Sequence, residues 1–426
     1  MSTLSWQKFH ELSLALAERL KPHLRSDHSK IGIEQRPVME GLILMAAGLA
    51  LGLDPVLDEK SNLNAKDPEL FIPRNLGDFK SDFDYDMHPL IPHLQCDGLI
   101  PEALKASFTN RTFYFSTSGS TGEAKTVAKS ASGLLAEIVQ LKALYQLEEN
   151  SGIVSLVRPF HIYGFLHSFL LPLFGNISVN YWPLQSVLAS QENGFPPTVD
   201  LLVSVPAHWN LIKRIWAETY TTRVVSSGSV FGKERSEELA QYKGAFDHYH
   251  EILGSTETGG IGHRLLEEQS PVYTLFEGIS FEEREGGSEI FSPFVYPERS
   301  VFSADRLEIN DPSGRTFLHL GRADRIFKYS GLRHSLSEVE DLLKALSECS
   351  QVLACFDEVE GVAQGGVLSA WLEGDASGID WKGLQSQYLE RTSCPYPRRL
   401  HVLETFPRDA QGKVSIAALK AMTGGL

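Results

Sequence analysis

The chain has 426 residues, 42% of them hydrophobic and 22% charged, an ordinary globular composition long enough for two or three packed cores. Its formal net charge of −15 argues against a nucleic-acid binder, which needs Lys and Arg to neutralise phosphates, but leaves room for a nucleotide held at a local site. The four cysteines, Cys96, Cys349, Cys355 and Cys394, form no C-x-x-C pair and no disulfide framework, and read as reduced thiols of a cytoplasmic protein.

Met1–Leu20 mixes Trp6, Lys8, His10, Glu11 and Glu18 and does not read as a signal peptide. Gly41–Leu53 is apolar but falls short of the roughly 20 residues of a membrane span, so a buried helix closed by Asp54-Pro55 is expected and no membrane span. Arg111–Thr117 is aromatic and β-branched, and Leu134, Leu135, Ile138, Val139 and Leu141 follow at helical spacing. Ile153–Val157, Val199–Val205 and Arg223–Ser227 are strand candidates, with helical stretches such as Ala207–Glu218 between them. Strand–helix alternation of this kind predicts a mainly parallel sheet flanked by helices.

After Gly262 the pattern changes. Val272–Phe276, Ile279–Glu285 and Ser288–Phe294 read as short antiparallel strands, with Glu285-Gly286-Gly287 as a hairpin turn. A second change near Asp324 opens a small α+β domain. In it Ser335–Glu348 is an amphipathic helix with a capping box from Ser335 to Glu338. Val367–Leu372 and Leu400–Leu403 read as strands on either side of a helix near Trp381–Tyr388. The expected fold is therefore α/β, with a large domain over residues 1–323 and a small one over residues 324–426.

Ser116-Thr117-Ser118-Gly119-Ser120-Thr121-Gly122-Glu123-Ala124-Lys125 follows a strand and is expected to precede a helix. Such a loop offers hydroxyls, flexible backbone N–H groups and one cation, the groups a polyphosphate needs. It is not a Walker A loop, because Ala124 stands where that motif requires Gly before the Lys.

At this loop the chain resembles the adenylate-forming superfamily of acyl-CoA synthetases, luciferases and peptide-synthetase adenylation domains, whose signature is T-S-G-[ST]-T-G-x-P-K. Thr117–Lys125 matches it apart from Ala124. Five further motifs follow in the family's order, and Ser227–Ser229 adds a sixth resemblance. Arg158-Pro159-Phe160-His161-Ile162-Tyr163-Gly164 is similar to its P-x-x-H-x-x-G, which implies that His161 gates the acyl site. Ile252-Leu253-Gly254-Ser255-Thr256-Glu257 is similar to Y-G-S-T-E, which implies that Thr256 meets the α-phosphate and Glu257 holds Mg²⁺. Leu253 replaces the family's adenine-stacking Tyr. Ser303-Ala304-Asp305 resembles T-G-D, whose Asp accepts both ribose hydroxyls. Ser227-Gly228-Ser229 resembles the small-residue segment beside the adenine.

Gly321-Arg322-Ala323-Asp324-Arg325-Ile326-Phe327-Lys328-Tyr329-Ser330-Gly331 resembles the domain junction, implying a ribose contact from Arg322, a hinge at Asp324 and a thiol tunnel at Gly331. Pro407-Arg408-Asp409-Ala410-Gln411-Gly412-Lys413 resembles P-R-x-x-x-G-K, with Lys413 as the lysine of adenylation.

The resemblance implies an acid–thiol ligase that uses ATP and Mg²⁺. Its partners would be a small carboxylic acid, aryl or fatty, and the phosphopantetheine thiol of CoA or an acyl carrier protein. No acidic residue accompanies Phe160-His161 to bind a substrate ammonium, so an amino acid is disfavoured. The short chain looks like the compact ligases of fatty-acid-like or aryl polyene biosynthesis. A non-catalytic ATP-binding scaffold and a luciferase-like oxidative enzyme stay open at this point.

Overall fold

The computed structural model describes residues 3–33, 38–58, 69–71, 93–95, 100–118, 124–182, 196–217, 219–228, 231, 233–330, 332–347, 349–359, 366–375, 377–408 and 414–424. The chain divides into two compact units. The larger comprises Met1–Glu282, Glu289–Phe302 and Ile309–Leu318, and the smaller Glu283–Ser288, Ser303–Glu308 and His319–Leu426.

Two large sheets carry the larger unit, and a further three-stranded sheet joins Ser280–Arg284, Gly287–Phe291 and Ser300–Ser303. In the first, Ser178–Tyr181, Gly152–Ser155, Thr198–Ser204, Tyr220–Ser226 and Phe246–Ser255 lie side by side and parallel. Gly259–Leu265 and Val272–Leu275 then extend it antiparallel. Consecutive buried residues such as Leu201-Leu202-Val203 and Val224-Val225 show that both faces of these strands are covered. One face packs Val154, Leu202, Val224 and Tyr249 against Trp209, Ile212, Trp216 and Phe231. The predicted parallel sheet with an antiparallel section is thus present.

The second sheet runs Leu70–Phe71, Lys30–Ile33, Asp54–Leu57, Thr112–Ser118, Ala124–Ser130. Its first three pairings are parallel and its last antiparallel. Phe113 and Phe115 from this sheet meet Phe165, which stacks in turn on Phe169, with ring centroids 5.4, 5.5 and 5.7 Å apart.

Two sequence expectations are corrected here. Ser116–Lys125 does not run into a helix. It links two antiparallel strands in register from Thr112↔Ser130 to Ser118↔Ala124, and the helix Ala131–Leu144 starts only after them. Lys125-Thr126-Val127 contains β-branched residues that extend readily, and Ser130, whose side chain accepts from the Gly133 N–H, fixes the later helix start. The helix around Gly41 is Val38–Ala50 and is not closed by Asp54-Pro55. Gly52, at φ 86°, ends it, with Leu53 N–H donating to Gly48 O and Gly52 N–H to Leu49 O. Asp54-Pro55 begins a strand instead. Val139 is 68% exposed, on the outer side of its helix.

In the smaller unit, Gly366–Glu373 is fully buried, antiparallel to Gln351–Glu358 and parallel to Arg399–Leu403. Leu336–Ser347 and Trp381–Arg391 contribute Val339, Leu343, Leu384 and Tyr388 to a core with Val352, Leu368, Ala370 and Leu372. Trp371, Phe406 and Leu419 form a second cluster. The α+β reading holds. The capping box is not what fixes the first helix: Ser335 ends a strand, and the Glu338 carboxylate accepts from Thr392 Oγ1 at 2.5 Å.

Burial holds three histidines of the larger unit neutral, pushing His167 and His208 down to about 4 and His250 to about 3. Unfolding returns each to its ordinary value of 6.5, so the unfolded chain binds more protons between that value and the folded one. Stability is complete above pH 6.5 and falls as the pH drops toward 4, by up to about 1 kcal/mol per pH unit for each histidine. Melting temperatures measured from pH 7.5 to 5 should decline before most carboxylates titrate. A flat profile over that range would contradict the neutral burial of these rings.

Candidate functional site

The hairpin Thr112–Ser118/Ala124–Ser130 holds the ends of the Ser/Thr/Gly loop together. Gly119, Ser120, Thr121 and Gly122 lie outside the described residues, and Thr117 and Ser118 are described by backbone only. Lys125 is exposed, one residue into the returning strand.

Gly254–Gly260 is a tight turn of the larger unit. A Cβ on Gly254 would lie 2.4 Å from Gly259 O, so only glycine lets the strands Phe246–Ser255 and Gly259–Leu265 approach there. Thr258 fixes the tip. Its Oγ1 accepts from Ser255 N at 2.9 Å and donates to Gly259 O at 2.7 Å. Thr258 N–H donates to Ser255 Oγ at 3.1 Å. Thr256 is buried and Glu257 is exposed, so the turn presents a carboxylate outward from a rigid backbone. Leu253 is half-buried at the bulge just before it.

Two charged groups that the sequence reading passed over lie beneath this turn. Lys129 is 1% exposed, and its ammonium donates to Glu257 O at 2.8 Å and Phe294 O at 3.0 Å. Burial pushes it down to about 8, against the opposing pull of Glu137 and Glu257. Glu137, also buried, accepts from Gly260 N–H at 2.7 Å, and burial raises its pKa despite the nearby Lys129 charge. Both look like surface charges in the sequence. Only the pairing of Lys129 with an acid two turns along the following helix hinted otherwise.

In the motif around His161, Gly164 is required by close packing, since a Cβ would sit 2.0 Å from Arg158 O. Phe160 is buried beneath Arg158, whose guanidinium lies 5.2 Å from its ring centroid. His161 is half-buried at the start of the helix Ile162–Phe165, and Tyr163 donates to the carbonyls of Ser204 and Val225 at 2.8 and 3.0 Å. The Ser227 hydroxyl donates to Ile252 O at 2.8 Å, and Gly228 takes φ 90°. Ser229 lies outside the described residues.

In the smaller unit, Asp305 gathers three partners. Ser303 Oγ donates at 2.6 Å, His319 Nε2 lies 2.9 Å away, and Arg322 stands at 3.5 Å. Burial alone would raise this carboxyl, but the His319 and Ser303 hydrogen bonds and the neighbouring positive charge outweigh it and hold it below the usual range. His319 is a residue the motif reading did not find. Ala304 carries no positive φ, and its carbonyl accepts from Ala323 N–H at 2.7 Å, so the family's glycine is not needed. Asp324 is described by backbone only, in the short helical turn Ala323–Arg325, and Gly331 lies outside the described residues.

Lys413 also lies outside them. Arg408 grips Glu373 with both guanidinium nitrogens at 2.5 Å and pairs by a β-bridge with Val414. Glu373 also accepts from Phe406 N–H at 2.7 Å and Ser350 Oγ at 3.0 Å. These bonds outweigh the effect of burial and lower its pKa. Among the described residues no three His, Cys, Asp or Glu side chains cluster as a metal site, and no helix is long and apolar enough to cross a membrane.

Residues 101–275 match the family described as AMP-binding enzyme. The chain is 29% identical over 235 residues to a 4-coumarate–CoA ligase of Cereibacter sphaeroides, a match covering 54% of this chain and 53% of that one. This chain's match thus spans about half the length of that relative. ATP-bound MatB from Rhodopseudomonas palustris shares the fold at TM-score 0.71 and 14% identity, over 99% of this chain and 95% of its own. The o-succinylbenzoate CoA synthetase of Bacillus subtilis, in complex with its acyl-adenylate, does so at TM-score 0.71 and 16% identity, over 98% and 95%. Residues 101–275 thus carry the match to the AMP-binding enzyme family, and the chain as a whole has the fold of these solved structures.

Proposed function

We propose that this chain activates an aromatic carboxylic acid with ATP and then passes the acyl group to a phosphopantetheine thiol, that of CoA or of an acyl carrier protein. The observation that carries the reading is the Gly254–Gly260 turn, which fixes a buried Thr256 beside an outward carboxylate, Glu257, in the segment that matches the family. The names of two similar proteins, a 4-coumarate and an o-succinylbenzoate ligase, support an aryl acid.

In the first step a carboxylate oxygen attacks the α-phosphorus, and the bond to the bridging β-phosphate oxygen breaks, releasing pyrophosphate. Two anions must meet, so the residues' task is to neutralise charge and hold an in-line geometry. Lys125 and the loop Thr117–Gly122 would cradle the terminal phosphates, Thr256 the α-phosphate, and Lys413 the carboxylate and α-phosphate together. Gly228 and Ser229 would border the adenine and Asp305 with Arg322 the ribose. His161 would flank the acyl group. A Mg²⁺ ion, when bound, supplies further neutralisation of the phosphates. Glu257 would hold such an ion through a hard carboxylate oxygen. In the second step the thiol sulfur attacks the acyl carbonyl and AMP departs. Asp324 would let residues 324–426 turn for that step, bringing the segment at Gly331 to the thiol.

Acid-dependent ATP–pyrophosphate exchange should appear with benzoic or cinnamic acids more than with fatty acids. Intact-mass analysis with CoA and with holo carrier protein then identifies the acceptor. Lys413→Ala should lower exchange by about a hundredfold or more, because its contact forms chiefly in the transition state; near-normal exchange would remove Lys413 from the reaction. Asp324→Pro should keep exchange and lose thioester formation, since proline fixes φ at the hinge. Equal loss of both half-reactions would sink the hinge. Asp305→Asn should raise the KM for ATP by about tenfold, the cost of one charge-assisted hydrogen bond, with little change in the KM for the acid.

A further inference from the structure

Lys129 and Glu137 are costly to bury, and among the described residues neither has a side chain at hydrogen-bond distance. Lysine and glutamate are almost never fully buried without a partner that needs them. Here the partners are main-chain atoms at the two ends of one turn. Lys129 Nζ holds the carbonyl of Glu257 at 2.8 Å, and Glu137 Oε1 holds the N–H of Gly260 at 2.7 Å. The same ammonium holds Phe294 O at 3.0 Å, and Ser292 Oγ in that segment reaches Thr258 O at 3.4 Å. The glycines make room for this: a Cβ on Gly259 would lie 3.0 Å from Glu137 Oε2, and one on Gly260 3.1 Å from Oε1. Lys129 also shares the strand Ala124–Ser130 with Lys125. At four residues' spacing the two side chains project from one face, roughly 13 Å apart. One strand therefore carries both the cation that ends the Ser/Thr/Gly loop and the cation that sets the height of the Thr256-Glu257 backbone.

We infer that Lys129 and Glu137 are positioning residues for the nucleotide and its divalent cation, clamping the Glu257 carbonyl and the Gly260 N–H so that Thr256 and Glu257 are presented in a preset geometry. This rests on the functional reading above. Neither residue touches the reacting groups. Loss of either lets the turn relax, and a displacement of about 1 Å at a reacting group costs about a hundredfold in rate.

The test compares Lys129→Met, Glu137→Leu and Glu137→Gln with the wild type and with Glu257→Gln. Titration calorimetry of ATP with and without Mg²⁺ gives one readout, kcat and the KM for the acid in pyrophosphate exchange a second, and the melting temperature a third. In Lys129→Met and Glu137→Leu the gain in ATP affinity on adding Mg²⁺ should shrink at least tenfold, as in Glu257→Gln. Their kcat should fall by about a hundredfold with the acid KM within threefold of wild type. Glu137→Gln keeps an oxygen for Gly260 N–H and should recover to within tenfold of wild type. Wild-type Mg²⁺ enhancement and kcat in folded Lys129→Met or Glu137→Leu would overturn the inference. So would losses that merely track a lowered melting temperature and vanish at low temperature. If Lys129→Met does not fold, the contrast between Glu137→Leu and Glu137→Gln decides. A wild type without exchange for any acid would refute the functional reading, while the Mg²⁺ enhancement of ATP binding would still judge the clamp.

Discussion

A lysine almost sealed from water joins the two large sheets of the larger unit. Lys129 stands on the last strand of one sheet, and its ammonium ends on the carbonyl of Glu257, at the hairpin tip of the other. Desolvating an ammonium is expensive, so its charge-assisted bonds to Glu257 O and Phe294 O and the field of Glu137 must all be present for the arrangement to hold. The glycines at 254, 259 and 260, the Thr258 lock and the exposed Glu257 all follow from it: each lets the backbone come close enough to be held, or uses the position once held.

The sequence disclosed the larger periodicities and the chemistry-bearing motifs. Strand–helix alternation from Ile153 to Ser227 pointed to the parallel sheet, because strands covered on both faces carry consecutive apolar residues such as Leu201-Leu202-Val203. Four-residue strands such as Lys30–Ile33 and Asp54–Leu57 were not legible, since so short an apolar run carries no period. The hairpin after Ser118 was missed for a related reason: Ala124–Ser130 alternates polar and small residues without an apolar face. Asp305 and Arg322 were found by motif, and the structure brings them together at 3.5 Å. His319 beside them has no motif. Lys129, Glu137 and Glu373 were invisible because a buried charge and a solvated one are the same letter.

The departures from the family pattern are local. Ala304 contributes a carbonyl, which any residue provides. Leu253 sits half-buried at a strand bulge, where an aliphatic side chain can only pack. The Gly254–Gly260 turn next to it is closed by Thr258 and held by Lys129 and Glu137, and the chain keeps the fold of solved structures at 14 to 16% identity. What is retained is the geometry of turns and the charges that fix them, and side chains are free to vary where they only fill space.

The Glu373–Arg408 grip extends this logic to the segment beyond Pro407. Arg408 is tied to Val414 by a β-bridge, and Lys413 is the residue bonded to Val414. The bridge holds together the two ends of the stretch between Arg408 and Val414, so the ion pair to Glu373 on the buried strand Gly366–Glu373 fixes where the chain leaves that core and where it returns.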